Sequence, residues 1–142
     1  MKWVVKLKKA TFKHIESELY IYNETVKEID RIRKDIIYCS NNGDENTGGG
    51  RSSLPSSPTE RIATRLMTNR RLQQLESIAY AIEKVYNMAD NDRKKLIRLK
   101  YWTKPQTKTW DGIANELHIS KRQAFRWRDE IVQAIGEILG WR

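Results

Sequence analysis

The run from Thr109 to Arg128, with WDGIANELHISKRQAFRWR at its heart, constrains this chain most. Ile113, Ala114 and Leu117 fall at i, i+1 and i+4, the inward stripe of a short helix. Ala114 is small where a second helix must cross closely. His118 and Ile119 then form a tight turn, with Ile119 as its buried plug. Ser120 suits the start of a new helix, because its hydroxyl accepts a backbone N–H that otherwise has no partner. That second helix opens with Lys121, Arg122 and Gln123, then carries Phe125, Arg126 and Arg128. The pattern is that of a helix-turn-helix. A helix whose first turns carry donors and cations is what the major groove of B-DNA accepts, so double-stranded DNA is the expected partner. The plainer alternative is a pair of core helices with a solvated basic face. Against it stand the placement of the cations and the charge of the surrounding sequence.

That charge is uneven. The net charge is +9 over 142 residues, which makes an acidic polymer a natural partner. From Met1 to Cys39 nine Lys/Arg face six Asp/Glu, from Ser40 to Asp90 six face six, and from Asn91 to Arg142 twelve face six. The excess is largest around the helix-turn-helix, as a phosphate-neutralising surface requires. Only 39% of the residues are hydrophobic and 32% are charged, which favours exposed amphipathic helices over a thick core. Cys39 is the single cysteine, so no intramolecular disulfide forms, and a reducing cytoplasm is expected. Lysines interrupt every apolar run of the opening MKWVVKLKKATFK, which therefore does not read as a signal peptide. No segment approaches the ~20 apolar residues of a membrane span.

Four segments are expected. Residues 1–39 hold an extended arm or loose strand to Ala10, then a long helix that Thr11 caps and that ends near Ile37. Its stripe is Phe12, Ile15, Leu19, Tyr22, Val26, Ile29, Arg33 and Ile36, in steps of three and four that suit a coiled coil or helical hairpin. Arg33 breaks the seam, and Ile32 partly takes over. Residues 40–58, SNNGDENTGGGRSSLPSSP, read as a flexible linker. Gly43 to Gly50 lacks the lysine of a phosphate loop, and Asp44, Asn46 and Gly48 lack the acidic residue that would close a calcium loop. Residues 59–90 make a second long helix, capped by Thr59, with Ile62, Leu66, Leu75, Ile78, Ile82 and Val85 inward and a polar interval at Asn69 to Arg71. Residues 91–142 hold a third helix with Leu96, Ile97, Leu99, Tyr101 and Trp102 buried, then the helix-turn-helix. The last helix runs through Ile131, Ile135, Ile138 and Leu139 to a stop at Gly140. The expected fold is all-α: a long N-terminal helical hairpin followed by the helix-turn-helix domain.

The run from Leu96 to Arg128 resembles region 4 of bacterial sigma factors, on Leu99-Lys100-Tyr101, Ile113-Ala114-Asn115-Glu116-Leu117 and Ile119-Ser120. In size and layout, and in the closing Ile135 to Trp141, the chain is similar to phage late-gene regulators of the RinA and ArpU group. The resemblance implies a sequence-specific transcriptional activator of phage late operons. His118 departs from it, standing where glycine is usual. A left-handed residue there costs a non-glycine about 1–2 kcal/mol, so a different turn is expected. Trp127 stands where the sigma pattern often has arginine. It reads as core, with Arg126 and Arg128 carrying phosphate contacts instead.

Lys121, Arg122, Gln123 and Arg126 are the expected base-reading set, because arginine pairs bidentately with guanine and glutamine with adenine. Lys108, Thr109 and Arg128 are the expected phosphate contacts, which position without reading sequence. Trp102, Trp110, Trp127 and Trp141 suit core filling better than stacking on single-stranded bases. Phe125 faces partly outward, towards a thymine methyl. His14 and His118 have no ligand-spaced partners, and no nucleophile–base pair is present, so neither metal, cofactor nor catalysis is expected. The long N-terminal helices suit a homodimer, an RNA polymerase contact or an intramolecular hairpin. Two other readings fit the same features: a small terminase subunit that recognises phage DNA for packaging, and an adaptor that binds polymerase through its basic helices.

Overall fold

A computed structural model describes residues 6–42 and 58–142, with side chains described to residue 39 and from residue 58. The glycine-rich phosphate-loop and calcium-loop resemblances, most of the expected linker and half of the arm lie outside these residues. Every regular element among the described residues is helical, so the all-α expectation holds. The helices are α1 (Lys9–Tyr20), α2 (Tyr22–Asn42), α3 (Pro58–Thr68), α4 (Arg70–Met88), α5 (Asn91–Ile97), α6 (Trp110–Leu117) and α7 (Lys121–Leu139). A π-helical turn, Arg98–Trp102, continues α5.

The described residues divide into two compact units, residues 6–23 with 77–142, and residues 24–42 with 58–76. In the first, Ile15 and Leu19 of α1, Ile78, Ala81 and Ile82 of α4, Leu96 and Ile97 of α5, Tyr101, Ile113 of α6 and Val132 and Ile135 of α7 form one core. The four C-terminal tryptophans pack partly buried against it, as their core reading requires. Helix α7 lies very close to Leu7 and to α1. A methyl added at Gly136 would meet Leu7 Cδ2 at 3.0 Å and Ile15 Cδ1 at 3.2 Å. Tyr101 is fully buried and its hydroxyl donates to Glu16 at 2.9 Å. Burial, then the Glu16 carboxylate, push that hydroxyl far above its ordinary pKa, so it stays a neutral donor. The indole of Trp102 donates to the Leu19 carbonyl at 3.2 Å.

In the second unit, Ile29, Ile32 and Leu72 are buried. Arg33 pairs with Glu76 at 2.5 Å, and Arg71 with Glu28 at 3.2 Å. Arg33 thus points to solvent and a carboxylate, while Ile32 goes inward in its place.

Several boundaries differ from the sequence expectation. The N-cap of α1 is Lys8 without a side-chain cap bond, because Thr11 sits inside the first turn and its hydroxyl donates instead to the Arg142 carbonyl. The first long helix is two helices, separated at Ile21 (φ −101°, ψ 13°). Beyond it Thr25 is buried where Val26 was expected, and Val26 is 41% exposed, while Ile29 is buried as expected. The second long helix also divides, at Asn69, within the expected polar interval. Asn69 Oδ1 accepts from the Leu72 N–H at 2.9 Å, capping α4. Helix α5 starts where expected, with Asp90 accepting from the Arg93 N–H at 2.8 Å.

Candidate nucleic-acid interface

Helices α6 and α7 are each set by a short side chain at the N-terminus. Thr109 Oγ1 accepts from Gly112 N–H at 3.2 Å, and Ser120 Oγ from Gln123 N–H at 3.0 Å. Between them, His118 takes the left-handed conformation (φ 57°, ψ 41°). Its N–H bonds to the Asn115 carbonyl at 3.2 Å, and the Ile119 N–H reaches back to Ala114 at 3.0 Å. These two bonds make a Schellman termination, the geometry that glycine usually serves. The expectation of a different turn is therefore corrected. The backbone geometry is the one glycine usually adopts, and His118 accepts the left-handed strain because both terminal N–H groups of the turn are satisfied. Gly140 (φ 73°) ends α7 in the same way, with the Trp141 N–H on the Gly136 carbonyl at 3.0 Å. The buried Ile113, Ala114 and Ala124 sit between α6 and α7, and the small alanines permit the close crossing.

The base-reading candidates divide into two groups. Arg122 and Arg126, one turn apart on α7, are exposed and form no side-chain hydrogen bond or ion pair among the described residues. Gln123, beside them, is half-buried, and its amide side chain is likewise unpaired among those residues. Lys121 stands on the other flank. Its ammonium lies 3.5 Å from Asp111 of α6 and 5.8 Å from the centre of the Phe125 ring. Both members of that ion pair are more than half exposed, so the contact is weak and a phosphate can displace it.

The phosphate candidates are more engaged. Thr109 is exposed, with its oxygen acting as a cap and its O–H still able to donate. Lys108 is ion-paired with Glu116. The Arg128 guanidinium lies 4.7 Å from the centre of Phe125, 5.2 Å from Phe12 and 5.6 Å from Trp110, and bonds Asp129 at 2.9 Å. It is a quarter exposed, a stacked cation rather than a free one. Phe125 is half-buried, its ring 5.4 Å from that of Trp110. Trp127 is also half-buried and covered by the Arg93 guanidinium at 4.9 Å. Burial opposes the Arg93 charge. The bonds to Glu130 and Asp90 outweigh it and hold the guanidinium protonated. Arg93 thereby ties the start of α5 to the middle of α7, a link with no signal in sequence spacing.

Chemically, the arrangement is a rigid helix with two free guanidiniums and an amide on its leading turns. The cations behind them are held by rings and carboxylates. Such donors are chemically able to bond planar acceptor pairs and anions. Among the described residues, no group of His, Cys, Asp and Glu could hold a metal ion, and no helix is long and apolar enough to cross a membrane.

Comparison with known proteins places these helices in a lineage. The chain is 28% identical over 134 residues to a protein of Staphylococcus phage phi11 named transcriptional activator rinA, with 94% of each chain covered. The resemblance to the RinA group thus extends along almost the whole length, beyond the motifs of the C-terminal third. No solved structure matches. A family described as "Protein of unknown function (DUF722)" matches residues 10–137, and the chain belongs to that family.

Proposed function

We propose that the chain is a sequence-specific DNA-binding transcriptional regulator, an activator of phage late genes that works in the cytoplasm of a bacterial host. Helices α6 and α7 act as a helix-turn-helix of the sigma region 4 kind. The observation that carries this reading is the pair of unpaired guanidiniums, Arg122 and Arg126, on the leading turns of a helix capped by Ser120. The similarity to a phage transcriptional activator supports it. In this reading Arg122, Gln123 and Arg126 meet base edges, and Lys121 joins them when Asp111 releases it. Lys108, Thr109 and Arg128 lie along phosphates. The N-terminal helices contact RNA polymerase or a second copy.

The test compares Arg126→Ala with Lys108→Ala on a selected site and on random duplex. A base contact carries about 1–3 kcal/mol of discrimination, so Arg126→Ala should lose roughly 5- to 150-fold on the site and much less on random DNA. Lys108→Ala should weaken both about equally. Equal losses for Arg126→Ala on both duplexes would remove it from base reading. A stable ring of many subunits with enrichment at a packaging start would instead point to a terminase subunit.

A further inference from the structure

The first turns of α1 and the residue Lys6 before them carry lysines that the reading above does not use. A groove of about 690 Å3 runs between the start of the described chain and α7. It is lined by Lys6, Lys9, Lys13 and Arg128 as cations and by Glu16 and Asp129 as carboxylates. Both carboxylates are engaged: Glu16 accepts the Tyr101 hydroxyl at 2.9 Å, and Asp129 holds Arg128 at 2.9 Å. Lys6, Lys9 and Lys13 are exposed and have no ion-pair partner among the described residues. Four cations to two occupied carboxylates leave the groove positive.

Its position matters more than its charge. Arg122, Arg126, Asp129 and Gln133 fall at i, i+4, i+7 and i+11 of α7, one continuous stripe. Asp129 and Gln133 are groove residues, so the groove opens on the same stripe as the two free guanidiniums. From Arg126 to Gln133 the helix rises about 10 Å. The major groove is about 12 Å wide, with a sugar–phosphate strand along each edge. A duplex whose base edges meet Arg122 and Arg126 therefore brings a strand to the groove.

We propose that Lys6, Lys9 and Lys13 form a phosphate clamp that holds the DNA strand flanking α7. This rests on the DNA-binding reading. The clamp reads no sequence, and it couples the start of the chain to the affinity of a site formed at its other end. Glu16 is held in place by its bond to buried Tyr101 but keeps its negative charge, and the four cations of the groove outnumber it and Asp129 together.

The test measures binding of the full chain to a mixed-sequence duplex about three helical turns long across a salt series. The triple variant Lys6→Gln, Lys9→Gln, Lys13→Gln is compared with a control, Lys27→Gln, Lys34→Gln, Lys84→Gln, which loses the same charge outside the groove. Each phosphate contact contributes about 0.9 to the slope of log affinity against log salt, so the triple variant should lose roughly 2 to 3 in slope and about tenfold or more in affinity near 0.1 M salt. The control should keep most of the wild-type slope, and circular dichroism should show all three proteins equally helical. On a selected site the triple variant should keep the wild-type ratio of specific to random binding. A wild-type slope in the triple variant, or an equal loss in the control, overturns the clamp while leaving the DNA reading standing. Wild-type protein that binds no duplex overturns both. Capture of an acidic protein by the lysines, with duplex affinity unchanged, would assign the groove to a protein partner and overturn the clamp.

Discussion

Replacing His118 by glycine should stabilise the protein, although it removes a side chain. His118 is the only non-glycine with positive φ among the described residues, and its side chain is exposed, so little packing is lost. A left-handed residue costs about 1–2 kcal/mol unless it is glycine. Against that gain, glycine adds about 0.4–1 kcal/mol of conformational freedom to the unfolded chain. The net expectation is a gain of about 0.5–1 kcal/mol, or roughly 1–4 °C in Tm for a chain of this length. The bonds from the His118 and Ile119 N–H groups are backbone bonds and remain. The angle between α6 and α7, and hence DNA affinity, should not change. His118→Val provides the opposite arm, because a β-branched residue is least tolerated at that φ. It should lower Tm by a few degrees. Urea denaturation and thermal melts of the three proteins decide. A glycine variant less stable than wild type, or a valine variant equal to it, would refute the strained-turn argument.

Other expectations follow from the same contacts. Gly136→Ala gains about 1 kcal/mol of helix propensity but forces a methyl against Leu7 and Ile15, an overpacking worth about 1–3 kcal/mol, so denaturant midpoints should fall. Ser120→Ala should cost about 1 kcal/mol and fray the leading turn of α7, seen as faster amide exchange at Gln123. Asp90 accepts the Arg93 N–H, with the Arg93 charge beside it, and its pKa is held below 3.8. A depressed carboxylate stabilises above its unfolded pKa and loses that contribution as pH falls through the folded value. Carboxyl-carbon NMR should therefore show Asp90 titrating below 3.8, and Arg93→Ala should raise it.

Helix ends are local and were legible in part: Ser120 and Gly140 do what their types favour, whereas Thr11 and Thr59 lie inside the helices they were expected to cap. The inward residues of α5 and α6 were legible too, since Leu96, Ile97, Ile113 and Ala114 are all buried. The break at Ile21 was not, because neither glycine nor proline marks it and only packing on both sides decides it. Beyond that break Thr25 and Ile32 turn inward in place of Val26 and Arg33, while Ile29 keeps its expected place. Val132 was passed over because it lies beside the expected Ile131, and Leu72 because it directly follows the polar interval Asn69 to Arg71. At the candidate interface, residue type identified the cations but not their occupancy. Lys108 and Arg128 look as free as Arg122 in sequence, yet Glu116, Asp129 and three aromatic rings engage them. Such partners come from other turns and other helices, and spacing along one helix does not reveal them.

The central claim is that α7 reads a DNA sequence. The most direct measurement is selection of fragments of the source genome by purified protein near physiological salt, with wild type compared against a Gln123→Ala, Arg126→Ala double variant. The account predicts enrichment of one site upstream of a gene block by wild type, and its loss by the double variant, with random-sequence binding largely retained. Equal enrichment by both proteins, or none by wild type, would contradict it.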